Sequence, residues 1–160
     1  MRRAIYLLFV LVIGCQQQKP EELVRSNTYY LHQANYSPVS GDVIVSELSP
    51  GKLEIAISLK NTKEGINHPT HLHFGSVREV GELAFKLEPV DGATGRSVTV
   101  LDNVRLSNDE LLTYDTFLDL NGSIKVHMDD MYFKNMVLAF GNVGANEDYF
   151  FDGVAMCTGH

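Results

Sequence analysis

The stretch Leu53-Glu54-Ile55-Ala56-Ile57-Ser58-Leu59 decides the fold class of this chain. Apolar residues occupy its odd positions, and polar or small residues lie between them. A period of two is typical of a β-strand with one face in the core and the other in solvent. The turn signal Ser49-Pro50-Gly51 precedes it, after the loosely alternating run 42–46. The segment therefore predicts two strands joined by a turn.

Short β-patterned runs recur between turn signals along the rest of the chain. They cover residues 70–74, 83–87, 97–101, 123–127, 136–140 and 153–156. Pro89 and Asp91-Gly92 mark a turn region after the second run, and the turn dipeptide Asn121-Gly122 precedes the fourth. Residues 108–120 fit a helical insertion, although 114–117 fits an extended segment equally well. About eight short strands in one small domain predict an all-β, antiparallel sandwich or barrel.

The first 14 residues have the features of a secretory signal peptide. Two arginines are followed by a short apolar run over residues 4–13 and a small residue. The run is too short to span a bilayer, which needs about 20 apolar residues. Val12-Ile13-Gly14-Cys15 resembles a bacterial lipobox, in which Cys15 is lipidated and becomes the first mature residue. The alternative is an ordinary signal peptide that happens to end at a cysteine.

These features divide the chain into a signal peptide (1–14), a lipidated N-terminus with a tether (15–26) and one β-rich domain (27–160). The tether is polar and contains a proline, as flexible linkers often do. We expect an exported protein held by lipid at Cys15 in the bacterial cell envelope, on the outer membrane or facing the periplasm. Such a compartment is oxidising.

The mature chain is acidic. It keeps 11 of the 13 basic residues and all 20 acidic ones, for a net charge of -9. This charge argues against a nucleic-acid partner, which requires a basic face. The sequence identifies no protein partner. If Cys15 carries lipid, Cys157 has no cysteine left for an intramolecular disulfide, so it is a buried thiol, a metal ligand or an intermolecular pairing site.

His71-Leu72-His73 is the candidate metal motif. Residues two apart on a strand point to the same face, so two imidazoles can bind one ion while Leu72 packs in the core. The alternative is a pair of surface histidines. His127, at the end of another strand, would complete three nitrogen ligands and leave an open coordination position. His68 lies at odd spacing from the pair, which predicts a hydrogen-bonding role behind the ligands.

Sulfur atoms and the C-terminal histidine offer further candidate ligands. Met128 and Met131 lie near His127 and could supply thioether sulfur to Cu(I), although methionines more often serve packing. Cys157 and His160 are similar in spacing to part of a cupredoxin copper loop. That loop also needs a methionine beyond the histidine, and none follows His160 in this sequence.

Several segments occur in one order along the chain: Pro38-Val39-Ser40-Gly41-Asp42-Val43, the HxxHxH run within 65–75, Val126-His127-Met128-Asp129-Asp130, Gly141-Asn142-Val143-Gly144 and Gly153-Val154-Ala155-Met156-Cys157. In this order they resemble the Cu/Zn superoxide dismutase family. The resemblance implies a Greek-key, immunoglobulin-like β-sandwich or barrel. It also implies that His71, His73 and His127 are copper ligands and that His68 is a structural histidine. The CHRD domain, which shares a short His-x-His segment and a late Val-His strand end, is the nearest competing resemblance.

The sequence departs from the dismutase pattern in three places. No histidine lies between His73 and His127, where the family has its bridging and zinc histidines, so we expect no zinc site. Ala145-Asn146-Glu147-Asp148 follows Gly144, where the family places the arginine that attracts superoxide. The disulfide partner of the last cysteine is also missing. The arginine of the family steers superoxide electrostatically, and loss of this steering costs about tenfold or more in the association rate of superoxide.

Three functional hypotheses follow from these observations. The first is a membrane-anchored, dismutase-like domain that binds one copper ion and serves in copper binding, delivery or protection, with little or no dismutase activity. The second is a non-catalytic dismutase-like or CHRD-like binding module without metal. The third is a true exported superoxide dismutase with an atypical copper site, completed by His160 or by a second chain.

Overall fold

The computed structural model describes residues 25–34, 36–79, 81–129 and 131–146. They form eight strands and one short helix. The elements are β1 (Arg25–Gln33), β2 (Ser40–Ser49), β3 (Lys52–Lys60), β4 (Asn67–Phe74), β5 (Leu83–Asp91), β6 (Arg96–Asp102), α1 (Tyr114–Leu118), β7 (Asn121–His127) and β8 (Val137–Gly144). The predicted strand at 153–156 lies outside the described residues. No helix within the described ranges is long and apolar enough to cross a bilayer.

The strands close into an antiparallel barrel. Their order around it is β1-β2-β3-β6-β5-β4-β7-β8, and every neighbouring pair is antiparallel. Strands distant in sequence therefore become neighbours, as β3 pairs with β6 and β4 with β7. The prediction of an all-β, antiparallel fold is confirmed.

The alternation in β3 also has the predicted outcome. Leu53, Ile55, Ile57 and Leu59 are all buried and belong to the main core. The opposite face of the strand carries partly or fully exposed residues. One face of β3 therefore packs in the core and the other does not, as a period of two predicts.

β1 is missing from the predicted strands. Of its nine residues, Tyr29 and Leu31 are the buried ones, so its apolar signal is short. Both residues enter the core, where the Tyr29 ring lies 5.9 Å from that of Phe117 in α1. β1 begins at Arg25, two residues before the predicted start of the domain.

The helical alternative for part of residues 108–120 is realised in α1, which has five residues. Thr113 caps it, because its side chain accepts from the Thr116 backbone N–H and the Thr116 hydroxyl accepts from the Thr113 N–H. This is a reciprocal capping box. The extended alternative for 114–117 is wrong.

Two glycine-containing segments lie in strands, and the first of them was predicted as a turn. Asn121 and Gly122 begin β7, and the segment Gly141–Gly144 forms the end of β8. At Gly141 a side chain would collide with the Tyr30 carbonyl oxygen of the neighbouring strand. The glycine therefore permits a close approach of two backbones. In the sequence, a glycine with this role looks the same as a glycine in a turn.

The barrel has two narrow seams in its described part. β1 meets β8 in two residue pairs, and β5 meets β6 in the single pair Asp91–Arg96. Farther along the β5–β6 seam, the Glu88 N–H donates to the Thr99 hydroxyl oxygen at 2.9 Å. A side chain there replaces a backbone acceptor, so the two strands separate beyond their shared turn.

Arg25 ties β1 to two other elements. Its guanidinium donates to Glu47 of β2 at 2.6 Å and to Asp115 of α1 at 2.8 Å. It also lies 4.6 Å from the centre of the Tyr114 ring. The hydrogen bond to Glu47, followed by that to Asp115, raises the pKa of Arg25 above its usual range.

Candidate metal centre

Neighbouring strands β4 and β7 position the histidines on the outer face of the barrel. His71 pairs with Lys125 across the two strands, and Leu72 pairs with Ile124. Leu72 and Ile124 are buried in the main core. Because side chains alternate along a strand, His71 and His73 point to the opposite, outer side.

The structure brings His71, His73 and His127 together, as the sequence predicted. The ring of His71 lies 4.9 Å from that of His127 and 5.8 Å from that of His73. Their ligand atoms all lie within 4.8 Å of one another. His73 and His127 are buried, and His71 is partly buried. We call these three residues the triad.

The triad could hold a metal ion. Imidazole nitrogens bind Zn²⁺ at about 2.0–2.1 Å, so two nitrogens that share such an ion are separated by about 3.3–4 Å. The 4.8 Å limit for the triad is slightly wider. Three nitrogens also leave a coordination position for water or another ligand.

A backbone carbonyl determines which nitrogen of His73 is available to a metal ion. Nδ1 of His73 lies 3.0 Å from the carbonyl oxygen of Gly81. A carbonyl only accepts, so Nδ1 carries the proton and Nε2 keeps its lone pair for a ligand. Outer hydrogen bonds of this kind orient metal-binding histidines.

The described residues of the loop between β4 and β5, 75–79 and 81–82, cover this outer face; we call them the covering loop. Besides the bond between Gly81 and His73, its Val77 N–H donates to the side-chain oxygen of Asn142 on β8 at 2.8 Å. The Lys125 ammonium donates to the Glu79 carbonyl oxygen at 3.4 Å. The loop is thus attached to β4, β7 and β8 around the triad.

Lys125 is a functional candidate that the sequence reasoning missed. It has no exposed surface and lies on β7 between His71 on β4 and Phe140 on β8. Its position two residues before His127 places it on the same face of the strand. That spacing was visible in the sequence, but a lysine at this spacing is ordinarily exposed.

His68, for which the sequence predicts a hydrogen-bonding role behind the ligands, lies outside the triad. Its Nδ1 donates to the Met128 carbonyl oxygen at 2.9 Å. Since Met128 follows His127 directly, this bond holds the chain where β7 ends. Its Nε2 is buried and has no hydrogen-bond partner among the described residues.

The other predicted ligands divide into two groups. Met128 is half-buried beside His68, whereas Met131 is 66% exposed. Cys15, Cys157 and His160 lie outside the described residues. In the described part of the chain, the triad is the group of three or more His, Cys, Asp or Glu side chains suited to a metal ion.

Comparisons with family models, curated proteins and solved structures found no match to this chain. The interpretation of the site therefore rests on its own geometry and chemistry.

Proposed function

We propose that this protein is an exported lipoprotein, anchored through Cys15, whose dismutase-like domain binds one copper ion through His71, His73 and His127. The observation that carries the proposal is the approach of three imidazoles from two strands, with all ligand atoms within 4.8 Å of one another. The protein then serves in copper binding, delivery or protection, with little or no dismutase activity.

Copper is the metal that the donor set and the charge favour. Imidazole suits both copper and zinc, but Cu²⁺ exceeds Zn²⁺ in affinity for a given nitrogen site. The net charge of -9 expected for the mature chain raises the local concentration of cations. Met128, next to His127, adds a sulfur atom suited to Cu(I) in the vicinity.

The strand order supports the dismutase-like assignment. β3 lies beside β6 and β4 beside β7, and side-by-side strands that are distant in sequence are one feature of Greek keys. The HxH motif on β4 and His127 at the end of β7 are the residues that the resemblance implies as copper ligands.

Weak or absent dismutase activity follows from the surroundings of the triad. The histidine-free interval between His73 and His127 removes a fourth nitrogen ligand. Ala145 and Asn146 stand where the resemblance implies an arginine. The acidic charge also repels an anion such as superoxide.

Copper titration of the full-length chain tests the proposal. We expect one Cu(II) per chain, with nitrogen coupling in the EPR spectrum. Absence of a stoichiometric signal would favour the module without metal and contradict the proposal.

The variant His127→Ala should weaken Cu(II) binding by more than about 100-fold, the upper end of the loss seen when only an outer partner of a ligand is removed. The matched control is His32→Ala, since His32 is an exposed histidine on β1 outside the triad. Chelator competition measures both affinities. Equal affinities of the two variants would rule out His127 as a ligand.

A superoxide assay on the copper-loaded chain separates the proposal from the third hypothesis. We expect little or no acceleration beyond that of the chain without copper. Rapid turnover would instead identify a true dismutase with an atypical site.

A further inference from the structure

An apolar patch lies on the outer face of the barrel, where the side chains of an antiparallel sheet are ordinarily polar. Within the described strands, the exposed large hydrophobic side chains are Tyr30 on β1, Ile44 on β2, and Val98 and Val100 on β6. These strands are close neighbours in the barrel, with only β3 between β2 and β6. Apolar side chains that cluster on a solvent-facing surface mark interaction sites.

The register of the strands makes the patch continuous. Ile44 pairs with Ala56 of β3, and Ala56 pairs with Val98. Directly paired residues of neighbouring strands point to the same face of a sheet, so these three side chains form a row. Val100, two residues after Val98 on β6, lies on the same face and widens the row. We call Ile44, Ala56, Val98 and Val100 the outer patch.

The outer residues of β6 have a pattern that is complementary to itself. They are Arg96, Val98, Val100 and Asp102, and all four are exposed, whereas the residues between them are buried. When two copies of this strand face each other in opposite directions, Arg96 of each copy lies opposite Asp102 of the other. Val98 of each copy then lies opposite Val100 of the other. Arg96 has no ion pair with the described residues, so its charge is available to a partner.

We propose that the outer patch binds a second copy of this chain, in a dimer whose two-fold axis crosses β6 between Val98 and Val100. A two-fold axis brings the same surface of both copies together, as a self-complementary strand requires. Removal of the apolar side chains from water drives the association. The Arg96–Asp102 pairs at the two ends of the contact fix the direction in which the strands meet. The outer patch is small, so we expect a dimer that dissociates on dilution.

The dimer is independent of the proposed copper function. β3, at the centre of the outer patch, lies four steps from β7 in either direction around the eight-stranded barrel. The outer patch and His127 are therefore on opposite sides of the barrel. The contact leaves both triads uncovered, and self-association is measured on the metal-free chain.

Two charge reversals test the arrangement of the dimer. Sedimentation velocity of the full-length, metal-free chain should show a shift from monomer to dimer as the protein concentration rises. Arg96→Asp places like charges opposite each other at both ends of the contact, and so does Asp102→Arg. Each variant should weaken self-association at least about tenfold, because like charges repel each other across an interface. Circular dichroism verifies that both variants fold.

A mixture of the two variants provides the deciding measurement. The Arg96→Asp chain has an acidic residue at both ends of β6, and the Asp102→Arg chain has a basic residue at both ends. A dimer of one with the other therefore pairs opposite charges at each end of the contact. We expect an equimolar mixture to dimerise with about the affinity of the unaltered chain. A variant that had lost its fold could not be rescued in this way.

Lys86→Asp is the control, because it makes the same change in net charge as Arg96→Asp at an exposed position on β5 outside the outer patch. It should leave self-association unchanged. A chain that stays monomeric at every concentration would assign the outer patch to a different partner and overturn the proposal. Equal weakening by Lys86→Asp, or a mixture that stays monomeric, would also overturn it.

Discussion

A lysine with no exposed surface lies beside His71 on the face of the barrel that carries the triad. Burial of an ammonium group is costly unless polar atoms surround it. The Glu79 carbonyl oxygen is one such atom. A positive charge opposes a dication more than a monocation. If the triad binds copper as proposed, we expect Lys125 to favour Cu(I) over Cu(II).

Replacing Lys125 with methionine should therefore tighten Cu(II) binding. The Coulomb energy scales with the product of the two charges, so a lysine on the same face repels a dication twice as strongly as a monocation. We expect Lys125→Met to raise Cu(II) affinity by about tenfold or more and Cu(I) affinity by less. Competition with chelators specific for each oxidation state measures the two changes.

Lys86 provides the control for this substitution. It flanks His71 on the other side, from β5, and is exposed. Water and salt screen an exposed charge, so Lys86→Met should have little effect. Equal effects of the two variants would mean that burial of Lys125 plays no part.

A second single-residue effect concerns Asp91 at the β5–β6 turn. Its carboxylate accepts from the Thr94 N–H at 2.7 Å and the Thr94 hydroxyl at 2.9 Å. The backbone bond, then the hydroxyl bond, holds the pKa of Asp91 below its ordinary value. A carboxyl group with a lowered pKa stabilises the fold above its unfolded-state pKa and loses that contribution as pH falls through the folded-state value.

Asp91→Ala should therefore lower the Tm at pH 7, and the difference from the unaltered chain should shrink at about pH 3, below the ordinary pKa of aspartate near 3.9. Thermal melting at both pH values checks the result. Asp42→Ala, which removes an exposed strand aspartate, controls for the change in net charge. A difference that stays constant with pH would show that the carboxylate charge is not involved.

At the scale of elements, sequence reasoning succeeded where the local pattern carries the information. The strict alternation of β3 and the HxH motif of β4 predicted their own burial and orientation. Sequence reasoning failed at β1, because two buried side chains are too few to form a recognisable pattern. The approach of His127 to the HxH pair was predicted through the resemblance, since pairing of β4 with β7 depends on the whole barrel.

Two further features could not be predicted from the sequence, because they too depend on contacts between distant parts of the chain. Burial of Lys125 depends on the covering loop, which reaches it from another element. The apolar cavity lined by Val39, Ile66 and Leu138 is assembled from segments near β2, β4 and β8. No short stretch of the sequence contains either feature, so both become visible only once the chain is folded.

Two glycines with positive φ predict unequal costs of substitution. Gly65 has φ 82° and open space around the position of a side chain, so Gly65→Ala should cost about 1–2 kcal/mol of backbone strain. Gly144 has φ 65°, and a side chain there would collide with the carbonyl oxygens of Phe117 and Leu120. Gly144→Ala should therefore cost at least about 1 kcal/mol more.

Urea unfolding of both variants measures this difference, provided that the m-values are equal. The two substitutions share the same chemistry and the same backbone region, so each is the control for the other. Equal losses would show that the end of β8 relaxes away from the α1–β7 connection.

At the scale of the whole molecule, the seams determine where the barrel opens. The β5–β6 seam has one residue pair, whereas β2 and β3 pair along most of their length. Local opening requires less free energy where fewer backbone bonds break. We expect amides of β5 and β6 that face the seam to exchange about tenfold or more faster than those of the β2–β3 ladder.

Hydrogen exchange followed by NMR measures this order in the unaltered chain. The Glu88 amide, whose bond to Thr99 crosses the seam, is the most direct reporter. Exchange as slow there as in the β2–β3 ladder would show that the barrel unfolds in one step.

The sequence distance between the HxH pair and His127 has a consequence for assembly. An ion that meets the nascent polypeptide finds two imidazoles close together, while the third joins them only after β4 and β7 have paired. The complete set of three ligands therefore exists only in the folded domain, so an ion would not direct the early steps of folding. Under the proposed function, we therefore expect the folded domain, and not the growing chain, to take up the ion.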